Sequence, residues 1–420
     1  MSHTQRASKG VILLTLLLTL GLLAGGFGQA GAEPHRRADL SRLVVVGDSL
    51  SAGYQNRSLL AAQQVHGYAS LVAAQADVEL PLPLIAAPGI PNVLTLDPRT
   101  LVIGQASGVS PGRVPSFDEP MNCPFAQPMN LAVPGATVRD ALALRPDFEI
   151  DSLTDLILGL PGLCAGIARS QVEWAEHLAP TTLIVWIGNV DALGAALVAD
   201  ARELTPVEDF EQSYTELLRR LAAIRATLVV ANIPDVTVIP FLTPAEEVTA
   251  GVAAQTGLTE PVVGALLGIG PGDFVIPDAF ALIPVILVYG GPLPGHVVLD
   301  AGEVAQIRVA TAAYNRIIAA QAKKHGAALV NIHRLLDRAQ EHGLVIGGRR
   351  LTTDYLGGLF SLDGIHPTNT GYAVIANKVI HALNHHFAAG IPRVHVRQVM
   401  RDDPLVLPGV GEPADALDDD

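Results

Sequence analysis

Three side chains in this sequence have the types that nucleophilic hydrolysis requires, although they lie far apart along the chain. Ser49 closes the stretch Val44-Val45-Val46-Gly47-Asp48-Ser49-Leu50, where a β-branched run stops abruptly at a glycine and a polar pair. A serine at the end of a strand can serve as a nucleophile, or as the polar cap where a helix starts. Asp363 and His366 stand three apart in Ser361-Leu362-Asp363-Gly364-Ile365-His366-Pro367, so one turn can present both. A carboxylate that takes one imidazole N–H leaves the other ring nitrogen free to accept a proton from a serine hydroxyl. A structural or surface role accounts for most of the 13 histidines, but His366 is accompanied by an acid, a proline and a following helix. Oxyanion donors are the remaining requirement. A helix beginning at Ser49 would contribute N–H groups and a favourable dipole.

The elements that must position these residues alternate. Apolar runs at 42–46, 130–133, 182–187, 227–233 and 327–332 read as strands. Helical patterns lie within 58–76, from 137 onward, up to 180, and over 208–226, 301–326 and 369–387. Such alternation implies a parallel sheet covered on both faces, with sites at the carboxyl ends of its strands. Ser49, Gly135, Gly188 and Asn232 all follow predicted strands, so they are expected along one edge. Two irregular insertions interrupt the rhythm. Residues 81–129 are rich in Pro and Gly, and residues 238–298 are strongly apolar and broken by Gly and Pro. The second insertion reads either as a lid or acyl-binding wall at the site mouth, or as a core extension.

The chain's ends and composition bound the rest. Arg6 and Lys9 precede the apolar run Val11 to Ala24, and Ala30-Gly31-Ala32 offers small residues before Glu33. This is the pattern of an export signal over 1–32, cleaved after Ala32, with an uncleaved N-terminal anchor as the alternative. The apolar run falls short of the roughly 20 residues that span a bilayer, so no stable membrane insertion is expected after cleavage. A linker at 33–40, a main domain at 41–394 and a loose acidic tail at 395–420 complete the expected organisation. Loss of the signal, with its two cations, takes the net charge from −14 to −16, which makes nucleic acid a poor partner. Secreted or periplasmic conditions are oxidising, so Cys123 and Cys164 can form one disulfide, or remain two buried thiols. Neither cysteine has a partner at metal-ligand spacing, and the chemistry above calls for no metal or organic cofactor.

The motifs together resemble one family, the SGNH (GDSL) hydrolases. Gly47-Asp48-Ser49-Leu50 matches its first block, Asn130 to Val138 its second, and Asp363 to Tyr372 its last. The resemblance implies a flavodoxin-like three-layer α/β/α sandwich with a mostly parallel central sheet. It also implies Ser49 as nucleophile, Asp363 and His366 as its partners, and the Gly135 N–H as an oxyanion donor beside that of Ser49. One block departs. The family's third motif, Gly-x-Asn-Asp, is here Gly188-Asn189-Val190-Asp191, so Val190 holds the donor position and the adjacent Asn189 is the available substitute. Asn189 also suits a plain turn after a strand. Asp48 and Asp191 read as hydrogen-bonded scaffolding. Asn56-Arg57-Ser58 fits a glycosylation sequon that a bacterial-type exported chain would not use.

The expected activity is hydrolysis of carboxylic esters, esterase- or lipase-like, through an acyl-enzyme on Ser49, acting on a small-molecule or lipid ester. Carbohydrate deacetylation, thioester cleavage and acyl transfer are the alternatives on the same site. A catalytically weak ligand-binding protein of the same fold is the alternative of another class. Sequence alone leaves the oligomeric state open.

Overall fold

The computed structural model describes residues 37–115, 125–147, 149–160 and 167–407. The expected signal segment, Cys123, Cys164 and the last residues of the acidic tail lie outside the described residues.

Strand β1 (Leu43–Gly47) is buried along its whole length, as are β2 (Thr182–Trp186) and all but the first residue of β3 (Thr227–Ala231). With β4 (Ala328–Val330) they form a parallel sheet in the order β1-β2-β3-β4. Its register pairs Leu43 with Thr182, Thr182 with Thr227 and Val229 with Ala328. On the free side of β1, the predicted strand at 130–133 runs parallel as a short ribbon. Val45 N donates to Met129 O at 2.9 Å, Leu131 N to Val45 O at 2.9 Å and Val133 N to Gly47 O at 3.1 Å. The chain thus goes to one side of β1 first and to the other side next. That reversal opens a crevice at the carboxyl end of β1.

Burial on both faces explains why these strands read as continuous apolar runs. Val44, Val46, Leu183, Val185 and Val230 face one helical layer, and Leu43, Val45, Ile184, Trp186 and Val229 face the other. The first layer includes α3 (Val138–Ala143), α4 (Gln171–Leu178), α6 (Val207–Ala223) and α7 (Ala301–Lys324). The second consists mainly of α2 (Tyr68–Gln75) and α9 (Asn369–Phe387). α5 (Asn189–Leu197) joins the first layer through Ala192, Ala195 and Ala196, as does α1 (Ser49–Ala52) through Ala52, while α8 (Ile332–His342) gives Ile332 to the second and Ala339 to the first. This is the three-layer α/β/α architecture the sequence implied. Local chemistry starts the helices where they start. Thr137 with Asp140, Ser170 with Glu173 and Asp300 with Glu303 each form a reciprocal capping box.

Several boundaries differ from expectation. Ala38 and Leu40 are buried and Ala38 N bonds Phe387 O, so the end of the stretch read as linker, residues 38–40, already belongs to the domain. The insertion at 238–298 is not irregular. It holds helices Ala245–Thr256, Glu260–Leu267 and Ala279–Tyr289, with three two-residue strands paired antiparallel. Some of its Pro and Gly residues mark helix ends, Pro244 preceding the first helix and Gly257 (φ +75°) and Gly268 (φ +68°) ending the first two in left-handed caps, whereas Gly251, Gly264 and Pro284 lie inside helices. Val263, Leu267, Val275 and Ile283 from this segment join the same core as the sheet, as a core extension requires. In the earlier insertion only the strands Leu94–Leu96 and Ile103–Gln105 are regular among the described residues.

The tail is not loose where it begins. Residues 396–402 form α10 (Val396–Asp402), and Met400, Asp403, Leu405 and Val406 are buried. The Asp403 carboxylate accepts hydrogen bonds from Thr370 N (2.8 Å) and Thr370 Oγ1 (2.7 Å), which ties the segment to the start of α9. Among the described residues, no helix is long and apolar enough to cross a membrane.

Candidate active site

The turn after β1 is built around a steric necessity. A Cβ on Gly47 would stand 2.3 Å from Ser51 Oγ and 2.6 Å from the Trp186 carbonyl, so only glycine fits there. Asp48, not Ser49, caps the next helix: its carboxylate accepts the Leu50 N–H at 3.1 Å. The Ser49 hydroxyl is therefore not spent on capping. The helix it starts, α1, is a single turn ending at Gly53, so it lacks the macrodipole expected from sequence. Ser49 is 8 % exposed, and its N–H has no acceptor among the described residues.

The loop 361–367 presents the second half of the site. His366 Nδ1 lies 3.0 Å from Asp363 Oδ2. Asp363 Oδ1 also accepts the N–H groups of Ile365 (2.9 Å) and His366 (2.8 Å) and the Ser361 hydroxyl (3.1 Å). Burial alone would raise the Asp363 pKa. The His366 charge and these hydrogen bonds outweigh it and hold the carboxyl at about 2. A group ionised at every working pH fixes the proton on His366 Nδ1. The other ring nitrogen, Nε2, is buried and has no partner among the described residues, and an orphan of that kind calls for a functional account.

Four hydrogen bonds stitch this loop to the segment that follows Ser49. Arg57 N donates to Asp363 Oδ2 (2.7 Å), Asn56 N to Ser361 Oγ (3.1 Å), Leu362 N to Asn56 Oδ1 (3.0 Å) and Gln55 Nε2 to Pro367 O (3.1 Å). The Tyr54 ring packs on the His366 ring with centroids 4.7 Å apart. Asn56 adopts a left-handed backbone (φ +52°) with its side chain buried, so the apparent sequon is a structural clamp. None of these contacts was foreseen from the sequence.

The oxyanion side comes from the two neighbouring strand ends. Gly135 sits at φ +83° in open space, and its N–H has no acceptor among the described residues. Its loop is fixed to the next block by Asp191, whose carboxylate accepts Val138 N (3.0 Å) and Thr205 Oγ1 (2.9 Å). Asn189 is buried at the first position of α5, after Gly188 turns the chain at φ +110°. Its amide nitrogen donates to Asp48 Oδ2 at 2.7 Å, one residue from Ser49. Val190 is half-buried and offers no side-chain donor. Burial raises both Asp48 and Asp191 to about 6, against hydrogen bonds from Asn189 and Leu50 for the first and from Val138 and Thr205 for the second. Both acids hold backbone in place, as scaffolding would.

An apolar cavity of about 90 Å³ adjoins the site. Leu50, beside Ser49, and Ile365 and Pro367, on either side of His366, are among its walls. Ile239 lines it from the start of the 238–298 insertion, and Phe241 N bonds the Gly364 carbonyl at 3.0 Å.

A glycine-forced nucleophile turn, a free glycine N–H at the next strand end and an Asp–His loop converge at one sheet edge. The family model for GDSL-like lipases and acylhydrolases matches residues 43–379, a span that holds all of these features. The chain belongs to that family. Among solved structures, the fold is similar to a GDSL-like lipase from Parabacteroides merdae (12 % identity, 86 % of this chain and 100 % of that one, TM-score 0.39). It is also similar to an acetylxylan esterase from Geobacillus stearothermophilus (11 %, 83 % and 96 %, 0.38). A third is an α/β hydrolase from the metagenome of Lake Arreo (15 %, 84 % and 98 %, 0.37). A comparison with curated proteins gives no match. Members of the GDSL family are acylhydrolases, so the chemistry to be derived is attack on an acyl carbon.

Proposed function

We propose that this protein is an exported carboxylic ester hydrolase that works through an acyl-enzyme on Ser49. The observation that carries the reading is the buried, unpartnered Nε2 of His366, opposite an Nδ1 held by Asp363 at 3.0 Å. In the mechanism, His366 Nε2 takes the Ser49 proton as Oγ attacks the ester carbonyl. The N–H groups of Ser49 and Gly135 receive the developing oxyanion, with the second amide hydrogen of Asn189 as a third donor. Collapse of the tetrahedral species breaks the ester C–O bond, and His366 returns its proton to the departing alcohol. Water then enters, gives its proton to His366 and attacks the acyl carbon, and Ser49 leaves with that proton restored. The apolar cavity beside Leu50 and Ile365 supports esters with an apolar acyl group over acetylated sugars.

The test uses a panel of p-nitrophenyl esters of increasing chain length, with acetylated sugars alongside. Hydrolysis of the esters is expected, as is labelling of Ser49 by a fluorophosphonate; Ser49→Ala should abolish both while leaving the fold intact. Wild-type protein that neither hydrolyses nor labels would instead favour a ligand-binding role, for which the missing donor at Val190 is the supporting feature.

A further inference from the structure

A second recess lies on the far side of α8. It is a groove of about 1470 Å³ bounded by α8, by the hairpin of β5 (Leu344–Ile346) and β6 (Arg349–Leu351), and by α9. Arg334, Arg338 and His342 stand at four-residue spacing on the groove face of α8. Lys378 and His381 stand on the facing side of α9, and Arg350 projects from the hairpin. Among the described residues, Arg334, Arg338, Arg350 and Lys378 have no carboxylate partner, although the chain holds 41 acids against 27 Lys and Arg. The nearest acids on α8, Asp337 and Glu341, lie beside His333 and His342 and are not part of the groove wall.

Like charges gather along this groove, although the four side chains remain exposed. The Lys378 ammonium is pushed down by burial first, and then by the charges of Arg338, Arg393 and Arg334. Arg350 also donates to the His342 carbonyl, but an acidic protein that concentrates cations without carboxylate partners in one concavity opposes its own electrostatics there, and such local conflicts occur at binding sites. Beneath the cations, Leu335, Leu344 and Val374 form an apolar floor that also borders the cavity beside the Ser49 site. We propose that the groove between α8, the β5–β6 hairpin and α9 binds a phosphate-bearing ligand through Arg334, Arg338, Arg350 and Lys378. A phosphate monoester carries nearly two negative charges and three acceptor oxygens, which suits several converging cations better than a single carboxylate does. Guanidinium forks take its oxygens two at a time and the ammonium acts as a point charge. The phosphate can be free or borne by a lipid headgroup.

Calorimetric titration of the full-length protein with pyrophosphate tests the proposal, with co-sedimentation on phosphatidylcholine vesicles with and without phosphatidic acid, whose phosphate is a monoester, as the second arm. Saturable pyrophosphate binding that weakens with added salt is expected, and Arg334→Glu/Arg338→Glu should weaken it roughly tenfold or more. Arg334→Gln/Arg338→Gln should fall between, which separates lost contacts from misfolding. Hydrolysis of a neutral p-nitrophenyl ester should be unchanged in both, so failure here is distinct from failure of the esterase reading. Binding confined to phosphatidic acid vesicles places the phosphate on a lipid, and binding of pyrophosphate alone places it on a soluble ligand. The proposal is overturned if neither probe binds, or if the charge-reversed variant binds as well as wild type.

Discussion

The Asn189 amide carries two hydrogens, and Asp48 holds one of them at 2.7 Å. If the second serves the oxyanion, Asn189→Ala should lower kcat by about a hundred- to a thousandfold, the roughly 2.7–4 kcal/mol that one such donor is worth. Val190→Asn should then add little. The check is steady-state kinetics on both variants with circular dichroism to establish folding; a mild loss in Asn189→Ala, with KM unchanged, would leave the site with two donors. The Asp–His pair makes a different forecast. His366→Ala should remove activity and also cost stability, because the buried ring holds Asp363 through Nδ1 and packs on Tyr54. Asp363→Ala should lower both, since the part-buried N–H groups of Ile365 and His366 would be left without their acceptor. Each stranded donor costs about 1–3 kcal/mol, read as a drop in the urea midpoint. Both residues were legible in the sequence, whereas the load Asp363 bears for its loop was not.

At the scale of elements, the β1 turn tolerates no side chain at its glycine. Gly47→Ala would drive a methyl into the Trp186 carbonyl, a backbone atom that cannot yield without separating β1 from β2. A loss of about 3 kcal/mol or more, or no soluble protein, is expected from thermal unfolding. Asp191 joins α5 to α3 and brings a pH dependence with it. Its folded pKa of about 6 lies above the ordinary value of 3.8, so the folded state binds more protons between those values. The stability tied to this group is therefore present below about pH 4 and lost as pH rises through 6, by at most about 3 kcal/mol. Asp191→Asn should flatten that decline, because the amide oxygen can still accept Val138 N while its nitrogen faces the Thr205 hydroxyl. Urea midpoints at pH 4 and pH 7 measure the slope; an unchanged slope would assign the proton uptake elsewhere, Asp48 being the first candidate.

Across the whole molecule, the chain's last described segment closes the fold rather than trailing from it. α10 packs Met400 into the core, and Asp403 takes two hydrogen bonds from Thr370 at the start of α9, the helix that follows the His366 loop. Asp403→Ala should lower the thermal midpoint, since a buried N–H and a buried hydroxyl lose a charged acceptor, at about 1–3 kcal/mol. Activity per folded molecule should hold, because the His366 loop keeps its own ties to residues 55–57. Pro404 and the run of acids beyond it suggested a solvated tail, but composition gives no sign that one carboxylate will be buried.

What the sequence determined by itself is whatever local backbone geometry forces on residue type. β1, β2 and β3 announce themselves because burial on both faces demands unbroken apolar runs. Gly47 is required by a steric limit, Gly135 suits φ +83°, and Asp363 reaches His366 because three residues of one turn separate them. In the 238–298 insertion the helix ends at Pro244, Gly257 and Gly268 are legible too, whereas Gly251, Gly264 and Pro284 sit inside helices that only packing sustains. Only the tertiary structure decided how the two halves of the site meet. Arg57 reaches Asp363 through a backbone N–H, a donor that every residue except proline carries, so nothing in its side chain marks it. The facing cations of α8 and α9 are equally silent, because each alone reads as an ordinary solvated face. Their meaning lies in a separation across the groove that no spacing along the chain records.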